Sequence, residues 1–241
     1  MKISMRTMMM IVSLVLTMTV VAFGTVAYMT DRDQVTNTFT VGNISITVDE
    51  SNVDGDADAD GNIPERDKEN NYKLIPGAEY VKDPTVTVEA NSEECYVRFR
   101  VTLNCIAELR DIVKKHSNVT ADELAAYSPA DLLALFVEID DTCWVYEGYE
   151  MNGNVAEIEF RYFTEVLTSE EDTVLPALFS TFSVPTFMDT EDLAKLNGLE
   201  LIAYGDAIQT VAFTDADDAW EAFDYQVFGE KAVEQEDADN A

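Results

Sequence analysis

An apolar segment near the amino terminus is followed almost at once by a β-strand pattern, and this order limits how the chain can fold. Lys2 and Arg6 precede an apolar core at residues 11–23, and Thr25-Val26-Ala27 has the small residues of a secretory cleavage site. We therefore predict a signal peptide over residues 1–27, cleaved after Ala27. The alternative is an uncleaved anchor, because residues 8–27 are about as long as the ~20 residues that span a bilayer.

The charge of the chain agrees with export and limits its partners. Its 47 acidic and 15 basic residues leave a formal charge of −32. Cleavage after Ala27 removes Lys2 and Arg6 but no acid, so the mature chain would carry −34. Such a charge repels nucleic acid and anionic lipid, so we expect no nucleic-acid partner and membrane contact only through an uncleaved signal. Copies also repel one another, and any self-assembly should respond to acid, salt or divalent cations.

Alternating apolar residues predict a mainly β domain over residues 28–228. Strands are expected at residues 39–48, 81–88, 96–103, 143–149, 155–166, 179–184 and 199–209. Pro84 should lie at a sheet edge or before the start of its strand, because it cannot donate a ladder hydrogen bond. The Asn152-Gly153 pair predicts a hairpin turn.

Helical spacing interrupts the strands at residues 105–140 and returns near the carboxyl end. We predict a helical insertion there, with a capping box at Thr120 and Glu123 and another helix start at Ser128-Pro129. A short helix is expected at residues 190–196, and a helix that begins at Thr214 should pack Trp220 onto a sheet. Residues 229–241 are predicted to be an acidic, disordered tail.

One strand alternates two kinds of side chain with particular clarity. Val97, Phe99, Val101 and Leu103 should face the core, whereas Arg98 and Arg100 should face solvent. In so acidic a chain, we expect both arginines to pair with carboxylates of neighbouring strands.

Several short motifs, in order, resemble the TasA/camelysin group of exported bacterial proteins. The resemblance covers about three quarters of the chain and rests on Thr-Val-Ala-Tyr-Met-Thr-Asp from Thr25, Asn-Thr-Phe-Thr-Val-Gly-Asn-Ile from Asn37, Ile-Pro-Gly-Ala from Ile75, Asp-Pro-Thr-Val from Asp83, Cys-Tyr-Val-Arg-Phe-Arg-Val from Cys95, and Ala207-Ile208-Gln209 ahead of Ala219-Trp220. It implies a jelly-roll-like antiparallel β-sandwich and a signal that a dedicated signal peptidase cuts. For the best-known members, it also implies a role as a subunit of extracellular biofilm fibres.

This resemblance suggests how the mature amino terminus could act. Residues 28 to about 38 would form a free, β-competent segment that adds to the open sheet edge of a second copy, with Tyr28, Val35 and Phe39 as anchors. Repeated head to tail, such addition yields a filament, to which other matrix proteins could attach. The alternative is a monomeric, calcium-dependent surface adhesin whose terminus folds back onto its own sheet.

An acidic loop at residues 49–72 contains a candidate calcium site. Oxygen ligands at alternate positions wrap a hard cation, and Gly61 permits a sharp turn. Asp54 and Glu65 are alternative ligands, and the simpler interpretation is an acidic, flexible loop between two strands. The predicted ligands are Asp56, Asp58, Asp60, Asn62 and Asp67, the last in place of the usual bidentate glutamate.

Cysteine and histidine usage gives little indication of catalysis. Cys95, Cys105 and Cys143 cannot all pair within one molecule, and buried free thiols are favoured over a bridge from Cys143 to either of the others. His116 is the only histidine, no CxxC spacing or HExxH motif exists, and no nucleophile elbow is present. Some relatives carry a metalloprotease label, yet we predict a non-enzymatic protein in which His116 contacts the last carbonyls of a helix.

Overall fold

A computed structural model describes residues 43–55, 57, 62–117, 120 and 126–229. The predicted signal peptide, its cleavage site and the anchors Tyr28, Val35 and Phe39 lie outside these residues, as do the tail from residue 230 and Glu123 of the predicted capping box. The strands are β1 (Ile46–Ser51), β2 (Arg66–Asp67), β3 (Glu79–Val81), β4 (Thr85–Val88), β5 (Cys95–Leu103), β6 (Trp144–Asn152), β7 (Val155–Tyr162), β8 (Thr173–Val174), β9 (Thr181–Ser183) and β10 (Leu201–Gln209). The helices are α1 (Ile106–His116), α2 (Pro129–Leu133), α3 (Thr190–Lys195) and α4 (Ala216–Phe228).

Two four-stranded antiparallel sheets form the β-sandwich. The first sheet has the order β2-β1-β4-β8 and the second the order β10-β5-β7-β6, while β3 and β9 form a separate pair. α1 and α2 lie between β5 and β6 in the chain, and α4 follows β10. The predicted mainly β fold, with a helical insertion and a carboxyl-terminal helix, is confirmed.

β5 is an inner strand of the second sheet and pairs with β10 on one side and β7 on the other. Its alternating apolar residues are buried as predicted and belong to the core between the layers: Val97, Phe99, Val101 and Leu103. The sheets approach closely at Gly205 on β10, where a Cβ atom would lie 2.6 Å from the Val48 Cγ2 of β1. A larger residue there would force the layers apart.

Local signals in the sequence account for most element boundaries. β4 begins directly after Pro84, and the β6–β7 hairpin closes with Asn152 opposite Val155 and Gly153 at a φ of 63°. α2 starts with a capping box between Ser128 and Asp131.

Several boundaries differ from prediction. The predicted strand 81–88 is divided into β3 and β4, which belong to different sheets, and β7 ends at Tyr162 rather than at residue 166. β1 runs to Ser51 and pairs with β2, so part of the predicted 49–72 loop is a hairpin. α4 is capped by Asp215 rather than Thr214, because the Asp215 carboxylate accepts a hydrogen bond from the Asp218 N–H.

Among the described residues, no helix combines the length and the apolar character needed to cross a bilayer.

Candidate functional site

The outer face of the second sheet, which the alternation of β5 predicts to be solvated, is covered by α4. Arg98 projects from this face and is 0% exposed. Its guanidinium carbon lies 4.4 Å from the ring centre of Trp220 and 5.1 Å from that of Phe223, both on α4. The prediction of a wet face is therefore wrong at Arg98, whereas the predicted packing of Trp220 onto a sheet is confirmed. The period of a strand specifies two faces but not what covers them.

Carboxylates from three different elements surround Arg98. Its Nε donates to Asp206 on β10 at 3.0 Å, and its Nη1 donates to Glu159 on β7 at 3.0 Å. Its Nη2 donates to Asp224 on α4 at 2.5 Å. The predicted pairing with strand carboxylates is confirmed, and α4 adds a further partner. The helical spacing of Trp220, Phe223 and Asp224, which puts them on one face of α4, was a signal for that contact.

Two further arginines extend this group, and we call Arg98, Arg100 and Arg161 the arginine cluster. Arg100 donates to Asp206 at 2.6 Å and to Glu157 at 2.9 Å, and Arg161 donates to Glu159 at 2.7 Å. Burial alone would lower the pKa of each guanidinium group, but the hydrogen bonds and charges of the carboxylates outweigh it and raise the pKa. The cluster therefore stays fully charged.

A cleft of about 480 Å³ opens beside this cluster, and we call it the β6 cleft. The arginine cluster, Glu157, Glu159 and Asp224 line it, and β6 contributes its rim. The rim residues from β6 are Glu147, Gly148, Tyr149 and Glu150, and Phe228 of α4 completes the wall.

β6 is an edge strand with apolar side chains that reach solvent. It pairs with β7, and no other strand of the described residues pairs with its outer side. A register shift between Tyr146 and Gly148 marks a bulge. Four of its apolar side chains are exposed, namely Val145, Tyr146, Tyr149 and Met151. A nine-residue edge with this composition is a template for strand addition.

The acidic loop is a hairpin loop between β1 and β2. The Asn52 N–H donates to the Glu65 carbonyl at 3.0 Å, which holds the loop ends together. Of the predicted ligands, Asn62 is exposed, and Asp67 lies on β2 opposite Glu50, where its carboxylate accepts from the Lys68 N–H. Asp56, Asp58 and Asp60 lie outside the described residues. Calcium binding here stays a prediction.

The three cysteines are free thiols, as predicted, but the predicted burial holds only for Cys95. Cys95 is buried, and Cys105 and Cys143 are partly exposed. Burial raises the pKa of the Cys95 thiol to about 11, with the charge of Glu94 as a smaller cause. Cys95 is therefore protonated at neutral pH and acts as a small apolar core residue.

His116 contacts a carboxylate rather than the helix-end carbonyls that the sequence suggested. Its Nε2 lies 2.6 Å from the Asp192 Oδ2, and the Lys115 Nζ lies 2.6 Å from Asp189 and 2.9 Å from Asp192. Burial alone would raise the pKa of Asp192, but hydrogen bonds from the Asp189 N–H, Lys115 and His116 hold it well below its usual value. These contacts join the end of α1 to the start of α3.

Comparison with known proteins identifies only the amino-terminal part. Residues 2–58 match the family model described as camelysin metallo-endopeptidase, the family to which TasA belongs. No curated protein and no solved structure matches the chain. The match confirms the TasA/camelysin resemblance for the motifs from Thr25 and Asn37, whereas the motifs from Ile75 onward lie outside the matched residues. Members of this family are extracellular or associated with the cell surface.

Proposed function

Starting from an amino-terminal segment of the TasA/camelysin type, we propose that this protein is an exported, non-enzymatic subunit of an extracellular fibre. After cleavage behind Ala27, the segment from Tyr28 adds as a strand to the sheet edge of a second copy. Main-chain hydrogen bonds provide the affinity, and alternate side chains such as Val35 and Phe39 provide the specificity. Repetition without closure gives a filament.

The observation that carries this proposal is the edge strand β6. It is nine residues long, and its exposed apolar side chains, Tyr149 and Met151 among them, lie beside the buried core residues Ile158 and Ala156 of β7. Soluble proteins usually protect such an edge with charges, a bulge or a covering segment. β6 has a bulge at Gly148 and the charges of Glu147 and Glu150, which protect the edge against unspecific pairing. Its exposed apolar residues are then best explained by the addition of one specific strand.

The test compares two forms of the mature protein by electron microscopy, at neutral pH and at about pH 5. The chain that begins at Tyr28 should form fibres, whereas a chain with a short Gly-Ser extension before Tyr28 should not, because the extension blocks insertion of the terminus. Uniform monomers of the first form under every condition would remove the proposal.

Variants of β6 test the acceptor side in the same assay. Met151→Lys places a charge on the edge and should abolish fibres. Leu167→Lys is the matched control, because Leu167 is an exposed aliphatic residue outside β6. Equal loss of fibres in both variants would contradict a specific role for this edge.

The proposal includes no peptidase activity, although the matched family is named a metallo-endopeptidase. A candidate metal cluster in the described residues is His116 with Asp189 and Asp192, whose ligand atoms lie within 4.8 Å of one another. Lys115 donates to both carboxylates, so the group is a closed ion-pair network and does not fit a metal ion. TasA-like members are generally non-enzymatic, which supports the same assignment. Casein digestion, with a chelator control, should give no chelator-sensitive cleavage.

A calcium-binding surface adhesin is the second candidate. The hairpin that closes at Asn52 and Glu65 supports it, because joined loop ends reduce the entropy lost when ligands gather round an ion. Calorimetry with calcium should then give heat that Asp58→Ala and Asp60→Ala abolish. No heat from the parent protein would exclude this candidate.

A further inference from the structure

We infer that the β6 cleft receives the guanidinium group of Arg32 from the incoming strand of a second copy. This inference rests on the proposed function and names the contact that would position the added strand.

The β6 cleft is lined by more carboxylates than cations. The three guanidinium groups of the arginine cluster face five carboxylates, those of Glu147, Glu150, Glu157, Glu159 and Asp224. The arginine cluster is already engaged by internal ion pairs with its neighbours. The cleft therefore attracts an added cation.

The donor segment has one cation that could serve. Arg32 is the only basic residue from residue 28 to residue 65, and it is flanked by Asp31 and Asp33. By strand alternation, Asp31 and Asp33 lie on the opposite face of the donor from Arg32, so the face that carries Arg32 has no acid and favours an acidic acceptor.

Strand alternation directs Arg32 to the cleft side of β6. Side chains two apart share a face, so Val35 and Phe39 lie on one face of an added strand and Arg32 on the other. On β6, Tyr149 lies opposite the buried Ile158, whereas Glu150 lies opposite Glu157 on the outer face. If Val35 and Phe39 join the apolar side, Arg32 faces the carboxylates.

The distance is compatible with such a contact. An added strand runs about 4.8 Å from its neighbour, a gap that the side chain of an arginine can cross. Glu147 and Glu150 are both exposed residues on the rim of the cleft. The Glu147 carboxylate lies 3.9 Å from Arg161, and its side chain is still 35% exposed, so Arg32 would share this carboxylate with Arg161.

Charge exchange tests the inference, under conditions where the parent forms fibres. Arg32→Glu alone, and the double variant Glu147→Arg with Glu150→Arg alone, should each reduce the fraction of protein in fibres by about tenfold, because like charges then meet. The chain that carries all three changes should recover fibres. Sedimentation measures the fraction in fibres, and the melting temperature checks that each variant is folded.

A matched control separates the contact from general charge. Glu170→Arg with Glu171→Arg makes the same change at two exposed residues outside the cleft and should leave the fibre fraction at the parent level or above it. Parent-like fibres from the Glu147/Glu150 variant, or failure of the exchange to restore them, would overturn the inference while the fibre proposal stands. A parent that never forms fibres would remove both.

Discussion

At the scale of the residue, Arg98 shows how a cation is kept in the interior of an acidic protein. Its side chain is 1% exposed and contacts Glu159, Asp206 and Asp224, whose side chains are themselves largely covered. Removal of one partner from a buried ion pair leaves uncompensated charge and costs about 3–5 kcal/mol. Arg98→Met keeps the apolar stem and should lower the free energy of unfolding by about that amount, as measured in urea.

The matched variant for Arg98 is Arg161→Met. The Arg161 side chain is 20% exposed, and its partner Asp217 is 85% exposed, so solvent screens that pair. Its other close partner, Glu159, keeps its ion pair with Arg98 after the change and so is not left uncompensated. The loss should be at most about 1 kcal/mol. Equal losses in the two variants would contradict the view that burial, rather than the number of ion pairs, sets the contribution of Arg98.

At the scale of the element, α4 depends on its first turn as well as on its contacts with the sheet. Asp215 accepts from the Asp218 N–H and so satisfies one of the unpaired donors at the helix start. Loss of such a cap typically costs about 1 kcal/mol. Asp215→Ala should therefore increase hydrogen exchange of the α4 amides, while Asp215→Asn, which keeps an acceptor, should not.

Hydrogen exchange of the β5 amides distinguishes local opening of α4 from global unfolding in the Asp215→Ala variant. β5 is an inner strand of the second sheet and belongs to the buried core. If Asp215→Ala weakens only α4, exchange in β5 should stay at the parent rate. An equal rise in both elements would show that α4 and the sheet open together.

At the scale of the whole molecule, acid reduces the repulsion between negatively charged copies, and strong acid also lowers the stability of the fold. Asp83 accepts from the Ser51 N–H at 2.6 Å and also bonds Arg66. Burial alone would raise the pKa of Asp83, but these hydrogen bonds and the Arg66 charge lower it. A carboxyl whose folded pKa lies below its unfolded value of about 3.9 stabilises the fold above that pH, and the contribution disappears as the pH falls through the folded pKa.

The change that tests this pH dependence is Asp83→Asn. The variant should be less stable than the parent at pH 7, and the difference should be constant above about pH 5 and shrink below about pH 4. Urea unfolding from pH 3 to pH 7 measures it, with Glu170→Gln at an exposed position as control. A difference that is independent of pH would show that the Asp83 charge is not responsible. The contacts of Asp83 with Ser51 and Arg66 should therefore persist near pH 5, the mildly acidic condition of the fibre test.

Most elements of the fold could be predicted from the sequence, because their signals are local. The alternation of β5, the turn at Asn152-Gly153 and the start of β4 after Pro84 each depend on neighbouring residues alone. The predicted start of α4 is one residue too early, because Thr214 and Asp215 are both good capping residues and only the observed hydrogen bond distinguishes them.

Strand geometry has a period of two, so the sequence assigns each side chain of a strand to one of its two faces. The burial of Arg98 depends on the tertiary fold, because its partners Asp206 and Asp224 lie 108 and 126 residues further along the chain. The β6 cleft likewise needs α4, β6 and β7 together. The alternation of side chains depends on bonds between neighbouring residues, whereas burial depends on contacts between distant segments of the chain. A periodic sequence pattern does not indicate those contacts.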